Sequence, residues 1–491
     1  MQLSKSDYML YLSHPAWLWL KKHDKEKLPA IDENTQATFD AGNLFESYAE
    51  KQFPDGIRLG FTDYKSYLAL PEQTMEALLG GAKTIFQARF VAGQLTCICD
   101  VIQVVGEKTF DLYEIKSSTK AKPEHIEDLA FQTTVLEDSG FTVRKISVIH
   151  VNNEFVRNGD IKPEDIAHTT EVTDAVRAKL PSTKKNVIEA LEILERPEMP
   201  NPSPTFAGST YFQDWLSIFK SLTNPPKYSI YDLITLNASK VSALEDDGFK
   251  LLSDIPEEYP LSPKQHKQVI ATKLDQPLIE RKPIKQLLDT FEYPLYFLDY
   301  ETLAGVVPPF DGTRAYQQVP FQYSLHILDS PDAELRHEEY LHTEATNPSE
   351  NVAKALKSHI GDTGTVLAWN MSFEKSCNKF LADQVPELKD FLLGLNDRMN
   401  DLDIPFKNLW YVHKDFFGSY SIKYVLPVLA PHLSYKILGI QNGASAQRLW
   451  MQGVIDGKDT IDKDILFADL VEYCKLDTLA MVEIFNVLRK L

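Results

Sequence analysis

A short apolar stretch that ends in two acids constrains the fold of this 491-residue chain more than any other feature. Residues 296–302 (YFLDYET) predict a buried strand. Neighbours i and i+2 of a strand point to the same face, so Asp299 and Glu301 should converge. Two carboxylates held together in a partly buried place repel each other, and a bound cation relieves that repulsion. An exposed strand end with two solvated acids is the alternative interpretation.

Two later segments carry further acids. Residues 366–370 (VLAWN) predict a second short buried strand, and a helix that begins after it would place Glu374 in its first turn, where the helix dipole favours a carboxylate. Residues 467–488 have helical periodicity, and Tyr473 and Asp477, four positions apart, would share one helix face. Asp401 lies in a predicted loop and is a candidate to support these acids indirectly.

Acids in the order strand, strand-to-helix and helix, with a tyrosine one turn before the last acid, resemble the DEDD exonucleases of the DnaQ type. The spacing of Tyr473 and Asp477 resembles their tyrosine subclass, and the resemblance covers residues 290–491. It implies an RNase H-like α/β exonuclease domain in which Tyr473 orients the attacking water. The residues it implies as ligands of two Mg²⁺ or Mn²⁺ ions are Asp299, Glu301, Glu374 and Asp477. Glu374 departs from the pattern, since the family usually has Asp there.

A second group of acids occurs in the N-terminal part of the chain. Residues 88–105 predict a strand that carries Asp100, and residues 109–116 predict the returning strand of a hairpin. Glu114 and Lys116 share a face by the two-residue period of a strand, and the hairpin would bring Asp100 beside them. Ordinary alternation on a strand surface also produces Glu-x-Lys, and that interpretation stays open.

An acid on one strand with Glu-x-Lys on the next resembles the PD-(D/E)XK nucleases. A glycine-led helix that carries Glu46, and Gln132 on a later helix, are similar to the RecB group of that family. The resemblance implies that Glu46, Asp100 and Glu114 hold up to two Mg²⁺ or Mn²⁺ ions. It also implies catalytic roles for Gln132 and for Lys116, which would orient or deprotonate the attacking water.

The opening segment, residues 3–23, has a Ser-x-Ser helix start and a break at Pro15, as RecB-family nucleases often do. An amphipathic helix that packs its aromatics into a core is an equal alternative. Members with an iron–sulfur cluster have Cys where His14 stands, and the chain has no cysteine between Cys99 and Cys377. We therefore expect no cluster.

The fold class predicted for the whole chain is α/β, in three parts. Residues 1–200 should form a restriction-endonuclease-like α/β core, residues 201–287 a Pro-rich linker with a small helical region, and residues 288–491 the exonuclease domain. In the middle part, residues 228–236 and 239–247 predict helices. Their pattern of short helices and a glycine turn resembles helix-hairpin-helix elements, and a plain helical spacer is the alternative.

Several polar residues are candidates to bind nucleic acid. Residues 311–318 predict a loop, in which basic and amide groups would meet phosphates and an aromatic ring would stack on a base. Residues 321–327 predict a core strand, and residues 417–426 predict a glycine turn that leads into a helix. The candidates in these segments are Arg314, Tyr316, Gln317, Ser419 and Lys423.

Charge and cysteine content narrow the class of protein. The formal net charge of −19 argues against a nonspecific polyanion binder, although a nuclease needs clustered acids only at its metal sites. The four cysteines show no C-x-x-C spacing, so neither zinc nor a disulfide framework is expected. No apolar run approaches the ~18 residues of a membrane span, and no signal peptide is evident. We expect a soluble cytoplasmic protein.

Both patterns together resemble a bacterial group that fuses a RecB-like nuclease to a DnaQ-like exonuclease. The function expected is metal-dependent cleavage of DNA ends or single strands, in repair or defence, with 3′-to-5′ exonuclease activity in the C-terminal domain. Two alternatives remain. RNA would require the same metals, and a chain with one or both sites inactive would serve as a nucleic-acid-binding scaffold or assembly subunit.

Overall fold

The chain has the predicted α/β fold, with two mixed sheets and helices packed around them. The computed structural model describes residues 1–491 and divides into two compact units. The first unit contains residues 1–224, 237–242 and 305–316, and the second contains residues 225–236, 243–304 and 317–491. The segment predicted as a separate middle part is thus shared between the units rather than forming a third one.

The first unit opens with a capped helix and continues through a long hairpin. Its strands are β1 Leu3–Ser4, β2 Ile57–Arg58, β3 Thr84–Ala92, β4 Leu95–Gly106, β5 Thr109–Lys116, β6 Thr142–Val151 and β7 Ala167–Glu171. Its helices are α1 Lys5–Ser13, α2 Pro15–His23, α3 Glu33–Ala49, α4 Tyr64–Leu79, α5 Pro123–Asp138, α6 Pro163–Ile166, α7 Thr173–Glu195 and α8 Phe212–Thr223. The break between α1 and α2 lies at His14, directly before Pro15, as predicted.

The strands of the first sheet lie in the order β2-β3-β4-β5-β6-β7, and β1 pairs with β4. The β3, β4 and β5 strands are antiparallel neighbours, whereas β5 and β6 run parallel. Helix α5 supplies the crossover between those parallel strands, and its buried face packs Leu129, Phe131 and Val135 into the main core. The sheet therefore places the ends of β4 and β5 against α5.

The second unit has a shorter sheet and a long C-terminal helix. Helix α9 Ala238–Asp246 precedes this sheet along the chain, and its residues are divided between the two units. Its strands are β8 Leu278–Ile279, β9 Leu295–Leu303, β10 Val319–Leu328, β11 Arg336–Leu341, β12 Thr365–Ala368, β13 Met399–Asp401 and β14 Tyr411–Val412. Its helices are α10 Pro263–Leu274, α11 Arg281–Leu288, α12 Ser349–His359, α13 Met371–Gln384, α14 Lys389–Asp397, α15 Ile404–Lys407, α16 Ile422–Leu429, α17 Gly443–Trp450 and α18 Lys463–Leu488.

The second sheet has the strand order β11-β10-β9-β12-β13. Its first strand along the chain, β9, pairs antiparallel with β10 and parallel with β12. Helix α18 packs Phe485 against Phe297 of β9 with ring centroids 5.7 Å apart. Because β9 is central and α18 covers it, the acids predicted on these two elements lie at one place.

The structure corrects three details of the predicted secondary structure. Residues 88–105 are not one strand, because Gly93 turns the chain with φ +59° and separates β3 from β4. Residues 228–236 contain only the 3₁₀ turn Ile230–Asp232, since Tyr228 and Thr235 adopt positive φ values that no helix allows. Asp401 ends strand β13 instead of lying in a loop. None of the helices combines the length and the apolar character that crossing a membrane requires.

Candidate active sites

The first candidate site lies where β4 and β5 meet α1, α3 and α5, and we call it the hairpin site. It consists of Lys5, Glu46, Asp100, Glu114, Lys116, Asp128 and Gln132. The register Val101↔Tyr113 places Asp100 opposite Glu114 on the neighbouring strand, as the predicted hairpin requires. The carboxylate of Asp100 also accepts a hydrogen bond of 2.9 Å from the backbone N–H of Ile115.

Glu114 is the centre of this site, and its side chain is only 1% exposed. Its Oε1 atom lies 2.6 Å from Lys116 Nζ and 2.8 Å from Lys5 Nζ. Its Oε2 atom accepts a hydrogen bond of 2.7 Å from Gln132 Nε2. Burial alone would raise the pKa of Glu114, but the charges of Lys116 and Lys5 outweigh it and hold that pKa well below its usual value.

Asp128 completes the ion-pair network of the hairpin site. Its two carboxylate oxygens lie 2.9 Å from Lys116 Nζ and 2.9 Å from Gln132 Nε2. The amide nitrogen of Gln132 donates to both Glu114 and Asp128, and its carbonyl oxygen is buried without a hydrogen-bond partner. Burial and the charge of Glu114 raise the pKa of Asp100 to about 7, although the two lysines oppose that shift. Glu114 and Asp128 are therefore balanced by Lys5 and Lys116.

Glu46 reaches the hairpin site from helix α3. Its carboxylate accepts 2.8 Å from Gln87 Nε2 and pairs with Arg58 at 3.2 Å. Gln87 has a φ of +57°, which is rare for a residue with a side chain. This backbone strain sits beside a candidate site, a place where such strain is often found.

Residues 305–316 belong to the first unit, although the predicted exonuclease domain, residues 288–491, includes them and residues 311–318 were predicted to form a loop. The Tyr316 hydroxyl donates to the carbonyl of Ser117, directly after Lys116. Val306 and Ala315 pack into a core cluster with Ile115. Arg314 forms an isolated bridge with Val156, and its side chain is exposed. Tyr316 thus fixes the end of β5.

The second candidate site, which we call the acidic cluster, consists of Asp299, Glu301, Glu374 and Asp477. Strand β9 supplies the first two acids, the first turn of α13 supplies Glu374, and α18 supplies Asp477. Ligand atoms of Asp299, Glu301 and Cys474 lie within 4.8 Å of one another, a spacing that a metal ion could bridge. The predicted convergence of the strand and the helix is therefore present.

The electrostatics of the acidic cluster differ from those of the hairpin site. Burial, followed by the charges of Asp477, Glu301 and Glu374, holds the pKa of Asp299 well above its usual value. Burial and the charge of Asp477 raise the pKa of Glu301 to about 8. Burial and Asp401 raise the pKa of Glu374 to about 8. None of the four forms an ion pair with a basic side chain, and Glu374 Oε2 is buried with no hydrogen-bond partner.

Two tyrosines bound the acidic cluster beside Asp477. The hydroxyl of Tyr435, which lies in a 3₁₀ turn, donates a 2.6 Å hydrogen bond to Asp477 Oδ1. The Tyr473 ring lies beside that of Tyr435, with 6.1 Å between the two ring centroids. Burial raises the pKa of Asp477 to about 6, although the hydroxyl of Tyr435, the charge of Lys423 and the hydroxyl of Tyr473 lower it. Burial and the charge of Asp477 raise the pKa of both phenols well above their usual value.

The other three residues predicted to bind nucleic acid, Lys423, Ser419 and Gln317, belong to the second unit. Lys423 is exposed at the start of α16 and acts on Glu301 and Asp477 through its charge. Ser419 accepts a hydrogen bond from the backbone of Ser421, and Gln317 begins the return of the chain to the second unit.

Four contact residues escaped the sequence analysis. Asp128 had a usable signal, because it lies four positions before Gln132 on one helix face. Cys474, next to Tyr473, places its Sγ 3.9 Å from Asp299 Oδ2. Lys5 and Tyr435 had no sequence signal, since they are separated from their partners by 109 and 42 positions.

Comparison with known proteins found a family match for one segment of the chain, most of which belongs to the second unit. Residues 296–421 match a family described as a domain of unknown function, DUF2779. The matched segment includes Asp299, Glu301 and Glu374 but ends before Tyr435 and Asp477. No curated protein matches the chain.

Proposed function

We propose that this chain is a metal-dependent nuclease that hydrolyses phosphodiester bonds in nucleic acids, with DNA ends or single strands as the first substrates to test. The observation that carries the proposal is the acidic cluster, in which two buried and two partly buried carboxylates from three chain segments interact through their charges without any basic ion-pair partner. Such an arrangement is unfavourable unless a cation or protons neutralise it. The strand order 3-2-1-4-5, counted along the chain from β9, accords with the RNase H-like domain that the sequence resembles.

The donor atoms of the acidic cluster fit Mg²⁺ or Mn²⁺. These ions prefer carboxylate oxygens, and Glu374 offers a buried oxygen that lacks any partner. Burial and the charge of Asp299 raise the pKa of the Cys474 thiol, so its sulfur stays protonated and is a poor metal ligand. Asp299, Glu301, Glu374 and Asp477 would hold the ions, which when bound supply electrostatic stabilisation of the phosphate and acidify the attacking water.

The side chains around the acidic cluster supply orientation. The Tyr473 phenol has a raised pKa and therefore acts as a hydrogen-bond donor that orients the attacking water, not as a base. Tyr435 fixes the rotamer of Asp477 through its 2.6 Å hydrogen bond. Lys423 lies exposed beside the carboxylates, where its ammonium group would contact the backbone of the substrate strand.

The hairpin site would be a second nuclease centre in the same proposal. Glu46, Asp100 and Glu114 supply carboxylate oxygens for Mg²⁺ or Mn²⁺, and the unpartnered carbonyl oxygen of Gln132 lies beside them. Lys116 would orient the attacking water and offset the charge of the phosphate. Because Lys5 and Lys116 already neutralise Glu114 and Asp128, the hairpin site is also compatible with a centre that binds nucleic acid without cutting it.

The decisive experiment measures degradation of 5′-labelled and 3′-labelled single-stranded and duplex DNA with Mg²⁺, Mn²⁺ or EDTA. Wild type is compared with Asp299→Ala, Lys116→Ala and the control Asp329→Asn, which changes an exposed acid paired with Arg336. We expect a mononucleotide ladder that disappears only in Asp299→Ala, and longer products that disappear only in Lys116→Ala.

Two outcomes would contradict this assignment. Loss of both activities in either single variant would exclude two independent sites. Absence of metal-dependent cleavage of DNA and then of RNA would favour a nucleic-acid-binding scaffold. Cleavage of RNA alone would keep the chemistry and change the substrate.

A further inference from the structure

Lys5 brings a second ammonium group to the hairpin site. It is the first residue of α1, where Ser4 and Asp7 form a reciprocal capping box that fixes the start of the helix. Its Nζ atom lies 2.8 Å from Glu114 Oε1, the oxygen that Lys116 Nζ contacts at 2.6 Å. The fold therefore directs two ammonium groups onto one carboxylate oxygen.

The two lysines are not held equally. Lys116 makes two short contacts, one to Glu114 and one of 2.9 Å to Asp128. The second contact of Lys5 is longer, 3.8 Å to Asp128 Oδ1, whereas the two lysines are exposed to a similar extent, 23% for Lys5 and 28% for Lys116. A lysine has a flexible four-carbon stem and a rotating donor group. Lys5 is thus the lysine that can turn away from Glu114 without leaving Asp128 unpaired.

The charge balance of the hairpin site favours that movement when a divalent cation is present. Without such a cation, Lys5 and Lys116 already neutralise Glu114 and Asp128. A divalent cation held by Glu46, Asp100 and Glu114 would add two positive charges close to both ammonium groups, and like charges at such distances repel. The cation and the two lysines would then balance the four acids of the site, so an ammonium group displaced from Glu114 would be free to contact an anionic phosphate.

We propose that Lys5 is a second phosphate-binding lysine of the hairpin site. It leaves Glu114 when a divalent cation binds, and its ammonium group then contacts a phosphodiester oxygen of the nucleic acid. The inference rests on the proposed function, since it takes a nucleic-acid strand as the ligand. It differs from the role of Lys116, which stays paired with Asp128.

The first test measures cation binding without nucleic acid, by titration calorimetry with Mn²⁺. It compares Lys5→Met with wild type, both in an Asp299→Asn background that silences the acidic cluster. If Lys5 competes with the cation for Glu114, its removal should tighten Mn²⁺ binding several-fold. The matched control is Lys145→Met, an exposed lysine of the same unit that pairs with Glu171, and it should leave the affinity unchanged.

The second test measures binding of a single-stranded oligonucleotide in Ca²⁺, at several salt concentrations, in the same background. Lys5→Met should weaken binding and lower the slope of log K against log salt by about 0.7, the value for one lost phosphate contact on a single strand. Lys5→Arg should retain most of the slope. Lys145→Met should behave as wild type.

The outcomes separate the inference from the proposed function. Tighter Mn²⁺ binding together with a lower salt slope supports it, even if no cleavage is ever found. Unchanged oligonucleotide binding in Lys5→Met overturns it. Weaker Mn²⁺ binding in both Lys5→Met and Lys5→Arg would show that Lys5 only positions Glu114, which also overturns it.

Discussion

The hairpin site and the acidic cluster use the same residue types but balance their charges in opposite ways. In the hairpin site, Lys5 and Lys116 lie within 2.8 Å of Glu114, and the pKa of that carboxyl is lowered. In the acidic cluster, no basic side chain pairs with Glu374, and its pKa rises to about 8. Both glutamates are buried, so the difference comes from their neighbours. A buried acid is a stabilising partner in one site and a source of repulsion in the other.

The largest expected effect is opposite stability responses to one substitution, Glu to Gln. Glu114→Gln should destabilise the first unit by ~3 kcal/mol, the lower end of the range for breaking a buried ion pair, because both lysines reach solvent. Glu374→Gln should instead raise stability at pH 7, because the folded protein must keep this carboxyl mostly protonated at a pH where the unfolded chain ionises it, and glutamine removes that cost. Urea unfolding followed by intrinsic fluorescence measures both. Equal destabilisation by the two substitutions would remove the proposed contrast.

The next effect concerns divalent cations. Mn²⁺ at 100 times its dissociation constant should stabilise the second unit by about 2.7 kcal/mol, because the acidic cluster binds it in the folded state and not in the unfolded state. Asp299→Asn should abolish that increment, whereas Lys116→Met should keep it. Thermal unfolding with Mn²⁺ and with EDTA measures the effect, and Asp329→Asn serves as the control. If Asp299→Asn kept the full increment, the cations would bind elsewhere.

A smaller effect is the pH dependence of the protein without metal. Glu301 and Glu374 have folded pKa values of about 8, above those of unfolded glutamates. The folded state therefore binds more protons than the unfolded state between about pH 4 and 8, so these groups lower stability as pH rises through that window.

The hairpin site has the opposite pH dependence at its centre. Glu114 has a lowered pKa, so its contribution is complete above pH 5 and is lost as the pH falls further. The raised pKa values of Glu301 and Glu374 are absent from the double variant Glu301→Gln/Glu374→Gln. Its melting temperature should therefore fall less steeply between pH 5 and 9 than that of wild type. A slope equal to that of wild type would contradict the assigned pKa values.

The smallest effect separates the two tyrosines of the acidic cluster. Tyr435→Phe should lower turnover ~10-fold, the lower end for a group that orients a metal ligand. In wild type the hydrogen bond from Tyr435 lowers the pKa of Asp477, so its loss should raise that pKa. The acidic limb of the pH–rate profile should therefore also move to higher pH. Tyr424→Phe, an exposed tyrosine of α16, is the control. An unchanged acidic limb would mean that Tyr435 does not act through Asp477.

Local sequence patterns determined much of both candidate sites. The two-residue period put Asp299 with Glu301 and Glu114 with Lys116, and the helical period put Tyr473 with Asp477. These groupings depend only on the geometry of a strand or a helix, which the sequence specifies over a few residues. The same reasoning located β5, β9, α13 and α18 within a few positions. It joined β3 and β4 into one strand, because alternation continues across the two-residue turn at Gly93.

Only the tertiary structure decided which distant groups meet these acids. Lys5 reaches Glu114 across 109 positions, and Tyr435 reaches Asp477 across 42. Residues 305–316 pack with the first unit, although the strands on either side of them belong to the second. Such partners are selected by how buried faces pack and close, and no local period encodes that choice. The sequence therefore determined where the acids are, and the tertiary structure decided which of them carry their own counter-charge.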